Sequence, residues 1–268
     1  MELTATVAGA MLPGEQPPGQ DRWAVAQSSV VVLDGATAVD PDVPPADVYV
    51  TDLCTVLTAL LGDGADARRA LRESITTVAR RLDLTAGRGP SSTATILRST
   101  GDLVEVAALG DSTAVVGLRG GRIERITDER LSRIAPDLRQ QYQRRLRAGH
   151  GFDSTHRTLL RQVQRAERAV RNSPGGYWIA EADPAAADHA IVRRYPADQV
   201  EWCVLATDGA QRPFEYLHGI WSDLPADAGQ VRSHLERLQM WEATGDPDGY
   251  LLPRSKRHDD KTIVVWRP

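Results

Sequence analysis

At five places in this chain of 268 residues an aspartate sits beside a short apolar run, at four of them next to glycine or another acid. Asp34 closes Val30-Val-Val-Leu-Asp-Gly35, Asp111 closes Val106-Ala-Ala-Leu-Gly-Asp-Ser112, and Asp208 closes Cys203-Val-Leu-Ala-Thr-Asp-Gly209. Asp21 precedes Arg22-Trp-Ala-Val25, and Asp259-Asp260 precedes Lys261-Thr-Ile-Val-Val-Trp266. Taken singly, an Asp-Gly after a strand is ordinary turn chemistry. Taken together, strand ends brought to one sheet edge would gather these carboxylates. Like charges that close repel and raise each other's pKa. Divalent cations relieve the repulsion, and all-oxygen ligation selects hard ions such as Mg2+ or Mn2+. A glycine after the aspartate also lets backbone approach closely.

Composition frames that reading. The chain holds 24 Asp against 12 Glu, and aspartate suits caps, turns and metal ions better than helix interiors. Its net charge of -4 argues against a general nucleic-acid binder. Cys54 and Cys203 lie in apolar contexts without a zinc or redox spacing, so both read as small core residues in a reducing cytoplasm. There is no apolar run of about 18 residues, so no membrane span is expected. Met1 to Ala10 lacks the basic start and apolar run of a secretory signal, so none is expected, and the expected location is cytoplasmic. The bias of 30 Arg against 2 Lys carries no function at this stage. The length suits one large domain, which would span 1–268, or two small ones.

The positioning elements follow from periodicity. Strands are expected at Leu3 to Val7, at Arg22 to Ala26 and Ser29 to Leu33 as a hairpin, and at Thr93 to Arg98, Leu103 to Ala108, Thr113 to Leu118 and Arg122 to Ile126 as an antiparallel meander. Further strands are expected at Tyr177 to Ala180, Trp202 to Ala206 and Thr262 to Trp266. Helical stripes cover Ala46 to Leu61, Asp66 to Leu82 and Asp227 to Thr244. Residues 129–171 hold 11 Arg against 4 acids and read as two basic helices around Gly149-His-Gly151. The order implies an α+β fold with antiparallel sheets and helices outside.

Motifs in that order resemble the metal-dependent, type 2C serine/threonine protein phosphatases. The resemblance rests on Gln20-Asp21-Arg22, Val31-Val-Leu-Asp-Gly35, Pro90-Ser-Ser-Thr-Ala-Thr95, Leu109-Gly-Asp-Ser112, Gly121-Arg-Ile-Glu-Arg-Ile-Thr-Asp128, Leu205-Ala-Thr-Asp-Gly209 and Asp259-Asp-Lys-Thr262. It implies two antiparallel sheets in a sandwich flanked by helices, with residues 129–171 as a flap insert. By position, Asp34 would bridge two Mn2+ or Mg2+ ions, the Gly35 carbonyl would ligate one, and Asp208 and Asp259 would hold the other. Asp21 falls at the acidic motif supporting metal-bound water, and Asp111 at the position tied to a third, weaker metal. The implied reaction is hydrolysis of phosphoserine or phosphothreonine in proteins by a water bridging two metals. The implied partners are a phosphorylated protein and a cognate serine/threonine kinase pathway, with neither nucleic acid nor membrane.

Four departures accompany the resemblance. Leu12 to Gln20 lacks the phosphate-gripping arginine, leaving Arg22 as a weak candidate. Asp34-Gly-Ala-Thr-Ala38 replaces a glycine-rich pattern and lacks a general-acid histidine, for which His258 is a weak substitute. Arg212 stands where an acid helps the third metal, and Thr113 replaces an arginine after Gly110-Asp-Ser112. These departures support a second reading: a catalytically weak or inactive module of the same fold that binds a phosphorylated partner and regulates a signalling pathway.

Overall fold

The computed structural model describes residues 5–15, 18–36 and 42–268. In chain order the elements are β1 (Thr6–Leu12), β2 (Asp21–Ala26), β3 (Ser29–Ala36), α1 (Ala46–Gly62), α2 (Ala67–Arg81), β4 (Ser91–Ser92), β5 (Ala94–Thr100), β6 (Leu103–Leu109), β7 (Thr113–Leu118) and β8 (Arg122–Ile126). Then follow α3 (Pro136–Arg147), α4 (Ser154–Ala169), β9 (Ile191–Pro196), β10 (Val200–Ala206), α5 (Asp208–Tyr216), α6 (Ala228–Thr244) and β11 (Lys261–Arg267).

The strands form two antiparallel sheets. One has the order β1-β11-β10-β7-β8, the other β2-β3-β5-β6-β9, with β4 paired to β3. Period-two alternation builds the layers. Val30 and Val32 of β3 meet Cys203 and Leu205 of β10 and Val264 and Trp266 of β11 between the sheets. Val31 and Leu33 point the other way, under Leu53, Leu57 and Leu71 of α1 and α2. Trp202, Val204, Ile263 and Val265 cover the opposite outer face beneath Val231, Leu235 and Leu238 of α6. The result is the expected α+β sandwich with helices on both outer faces. Both cysteines are free and buried, as expected.

Several boundaries differ from the sequence reading. The first strand is Thr6–Leu12, and residues 1–4 lie outside the described ones. The expected meander is split, because β5 and β6 belong to one sheet and β7 and β8 to the other. Gly110, at φ 84°, turns the chain from one layer to the next, and a Cβ there would stand 2.9 Å from Thr93. Tyr177 to Ala180 makes only isolated bridges, Arg171 with Tyr177 and Ser92 with Ala180. The strand in that region is β9, whose Arg193 and Arg194 are exposed and mask its pattern.

The basic helices α3 and α4 pack on each other through Tyr142, Leu146, Leu159 and Val163. His156 of α4 fixes the pair to the rest of the molecule, its Nε2 lying 2.9 Å from the Ser255 carbonyl.

Candidate metal centre

The strand ends converge. Asp34 lies two residues before the end of β3 opposite Asp21 in the β2 register, Asp111 follows β6, Asp208 opens α5 just after β10, and Asp259-Asp260 leads into β11. Asp34, Asp111, Asp208, Asp259 and Asp260 line one cavity of about 510 Å3, together with the Gly35 position. On its other side the cavity is lined by Gln164, Glu167 and Arg168 of α4, Arg171 and Tyr177.

The glycines of the two Asp-Gly motifs serve close packing rather than turns. A Cβ on Gly35 would meet the Gln20 carbonyl and Val50 at 2.7 Å each. A Cβ on Gly209 would stand 2.0 Å from the Asp260 carbonyl oxygen. Only glycine lets these strand ends press against the loops carrying the other acids. Thr93 N–H donates to the Asp34 carbonyl at 2.9 Å, and Gly35 N–H to the Gln20 carbonyl at 3.1 Å.

Asp21 plays a different part from the other acids. It is fully buried and does not line the cavity. Its Oδ2 accepts hydrogen bonds from Thr207 at 2.8 Å and Thr262 at 2.7 Å, which ties the edge of one sheet to the other. Its Oδ1 is buried without a partner. Burial pushes its carboxyl up to about 8, the charges of Asp260 and Asp259 add to this, and the two threonine hydroxyls oppose it. Asp260 accepts from the backbone N–H of Gly14 at 2.6 Å and from that of Gln20, which fastens the loop before β2.

The remaining acids are short of positive charge. Burial, and then the charges of Asp21, Asp208 and Asp259, hold Asp34 well above the usual carboxylate range. Burial and Asp259 raise Asp208, opposed by Arg212, Lys256 and a hydrogen bond with Asp34. Burial and Asp208 push Asp111 up to about 7. The direct counter-ion is Lys256, whose Nζ lies 2.6 Å from Asp259 Oδ1. As the side chains stand, no three His, Cys, Asp or Glu among the described residues are gathered around a common ion position. The donor set nevertheless fits a hard divalent cation: it is all oxygen, under-neutralised, and backed by an orphaned Asp21 oxygen.

The other candidates fall as follows. Arg22 is not on the cavity. Its guanidinium bonds Thr51 Oγ1 at 2.9 Å and the Gly19 carbonyl at 2.7 Å, bracing the turn from outside. Alternation along β2 turns the residue after Asp21 to the opposite face. Arg212 donates to the Pro253 carbonyl at 2.8 Å, and its charge acts on Asp208. His258 lines the cavity, and its Nδ1 lies 3.1 Å from Glu242 Oε2.

Sequence reasoning missed four supporting residues. Glu242 and Asp246 are buried acids at and beyond the end of α6. Lys261 Nζ reaches Glu242 at 2.8 Å, and Arg254 reaches Asp246 at 2.7 Å. These pairs anchor the loop that carries Lys256, His258, Asp259 and Asp260. No local spacing marks them, because each pair joins segments separated in sequence.

The structure is similar over nearly its whole length to bacterial phosphatases. The serine/threonine phosphatase PstP/Ppp of Mycobacterium tuberculosis matches at a TM-score of 0.57 and 16% identity, over 98% of each chain. Stp1 of Staphylococcus aureus matches at 0.56 and 13%, over 98% of this chain and 94% of that one. The chain has the fold of the type 2C serine/threonine phosphatases. PppA, described as a key regulatory component of T6SS in Pseudomonas aeruginosa, shares this fold at 0.57 and 17%, over 98% of this chain and 97% of its own. The catalytic domain of PstP in complex with two manganese ions also shares it, at 0.52 and 16%, over 98% and 99%. No family model and no curated protein sequence matches the chain.

Proposed function

We propose that the chain is a divalent-metal-dependent phosphatase acting on phosphoserine or phosphothreonine in proteins. The observation behind this reading is the under-neutralised carboxylate cavity at one edge of a phosphatase-fold sandwich. In this reading 1–268 is a single domain, with 129–171 as an insert beside the site. Asp34, the Gly35 carbonyl, Asp208 and Asp259 would hold two Mn2+ or Mg2+ ions, and Asp111 a weaker third. When bound, such ions neutralise the phosphoryl oxygens and supply an activated water for in-line attack.

The chain's own groups do the rest. Asp21, fixed by Thr207 and Thr262, keeps one oxygen free inside the acid cluster to accept a hydrogen bond. Arg168 is the cavity cation without a partner among the described residues, and its forked guanidinium suits a phosphoryl group. His258, engaged through Nδ1, keeps Nε2 for proton transfer to the departing serine or threonine oxygen. Both cysteines are buried, so a thiol nucleophile is excluded. The partner is a phosphorylated protein in a kinase pathway. Among the described residues no helix is long and apolar enough to cross a membrane.

A phosphopeptide assay with and without Mn2+ tests the reading. Turnover is expected only with metal, and Asp34→Asn is expected to remove it. A parent without turnover, matched by Asp34→Asn, supports the second reading, a regulatory module that binds phosphorylated partners. That reading draws on Arg22 facing away and on Lys256 occupying Asp259.

A further inference from the structure

The chain uses arginine almost everywhere: 30 Arg against 2 Lys. Both lysines stand beside the candidate centre. Lys261 is fully buried and bonds Glu242 at 2.8 Å. Lys256 lines the cavity and bonds Asp259 at 2.6 Å. Arginine presents a broad planar fork, whereas lysine presents a compact point charge on a flexible stem. An ammonium is therefore the side-chain cation that best takes the place of a small ion among carboxylates. Asp34 and Asp208 line the same cavity, so the ammonium on Asp259 stands among three of the carboxylates proposed to hold metal. The Lys256 side chain is 53% exposed, so the ammonium can leave Asp259 for solvent.

We infer that Lys256 is a tethered counter-ion that pairs with Asp259 and offsets part of the charge of the carboxylate cluster in the metal-free protein, and is displaced from Asp259 when a divalent cation binds. The inference rests on the metal reading above and adds an exchange to it: one ammonium leaves Asp259 as one metal ion arrives. The exchange stabilises the metal-free fold and weakens metal affinity. Lys256 is thus a residue that sets the metal concentration at which the site fills.

The lysine count makes the exchange directly measurable. With Lys261 buried, an amine acylating reagent reads Lys256 with little competition from other side chains. Mass spectrometry should show Lys256 acylated slowly in the metal-free protein and several-fold faster with saturating Mn2+. Lys256→Met should lower the melting temperature of the metal-free protein. By isothermal titration or Mn2+ electron paramagnetic resonance it should bind Mn2+ about tenfold more tightly or better, since a positive charge beside the ion is gone. Lys256→Arg, which keeps the charge, should stay near the parent in affinity. Mn2+ binding that leaves Lys256 acylation unchanged, or that is unchanged or weakened in Lys256→Met, overturns the exchange and leaves the metal reading intact. A parent that binds no Mn2+ overturns both.

Discussion

Arg168 illustrates what single residues contribute here. Around it, Arg171 donates to the Gly89 carbonyl at 3.2 Å and to the Tyr177 hydroxyl at 3.3 Å, and Glu167 pairs with Arg139. Arg168 alone on that wall keeps its fork free among the described residues. Arg168→Ala is expected to raise KM for a phosphopeptide about tenfold or more, the loss of a charge-assisted contact, with a smaller change in kcat. Arg168→Lys should recover only part, because an ammonium lacks the planar fork. Arg22→Ala should leave KM close to the parent, since Arg22 braces a turn outside the cavity. Steady-state kinetics at saturating Mn2+ separate these outcomes. An Arg168→Ala variant with the parent KM would remove Arg168 from substrate binding.

At the scale of elements, the site depends on how the loop between α6 and β11 is held. Glu242 is 2% exposed and meets Lys261, His258 and, at 4.0 Å, Arg254. Removing it leaves the buried Lys261 ammonium without a counter-charge, held only by the Asp259 carbonyl at 3.0 Å, which costs about 3–5 kcal/mol. Glu242→Ala is therefore expected to lower the denaturation midpoint by that amount and to loosen Asp259. Urea unfolding measures the first effect and Mn2+ titration the second. This network also shows where the sequence stops being informative. The alternation in β3, β10 and β11 and the strand-end acids could be read directly, because period and turn chemistry are local. The helical stripe of α1 was equally open to view. Strand β9 was hidden by its two exposed arginines, and α5 by its nine residues and internal Pro213. The partnership of Glu242 with Lys261 and the outward turn of Arg22 depend on tertiary packing, which no local pattern encodes.

For the molecule as a whole, the two sheets meet at an edge where their shared acids work against folding. Asp21 is pushed up to about 8 and Asp111 up to about 7, chiefly by burial. A carboxyl whose folded pKa exceeds its unfolded value binds more protons in the folded chain, so stability falls as pH rises between the two values. For Asp21 that window runs from an unfolded value of about 4 to about 8, and for Asp111 from the same start to about 7. The metal-free protein is therefore expected to melt at a progressively lower temperature as pH is raised from 5 to about 8, the reverse of the usual acid loss of stability from paired carboxylates. Under the proposed function divalent cations bind the folded, deprotonated cluster and should act oppositely: Mn2+ should raise the melting temperature most at the alkaline end. Thermal melts across this range, with Mn2+ and with a chelator, test both slopes together. A metal-free protein that gains stability toward pH 8 would show that the acids are already neutralised by the chain itself, with Lys256 and Arg212 sufficient and no demand left for a metal. A chelated protein that loses stability with pH, and recovers it with Mn2+, ties the strained carboxylates to a divalent ion, as the proposed function requires.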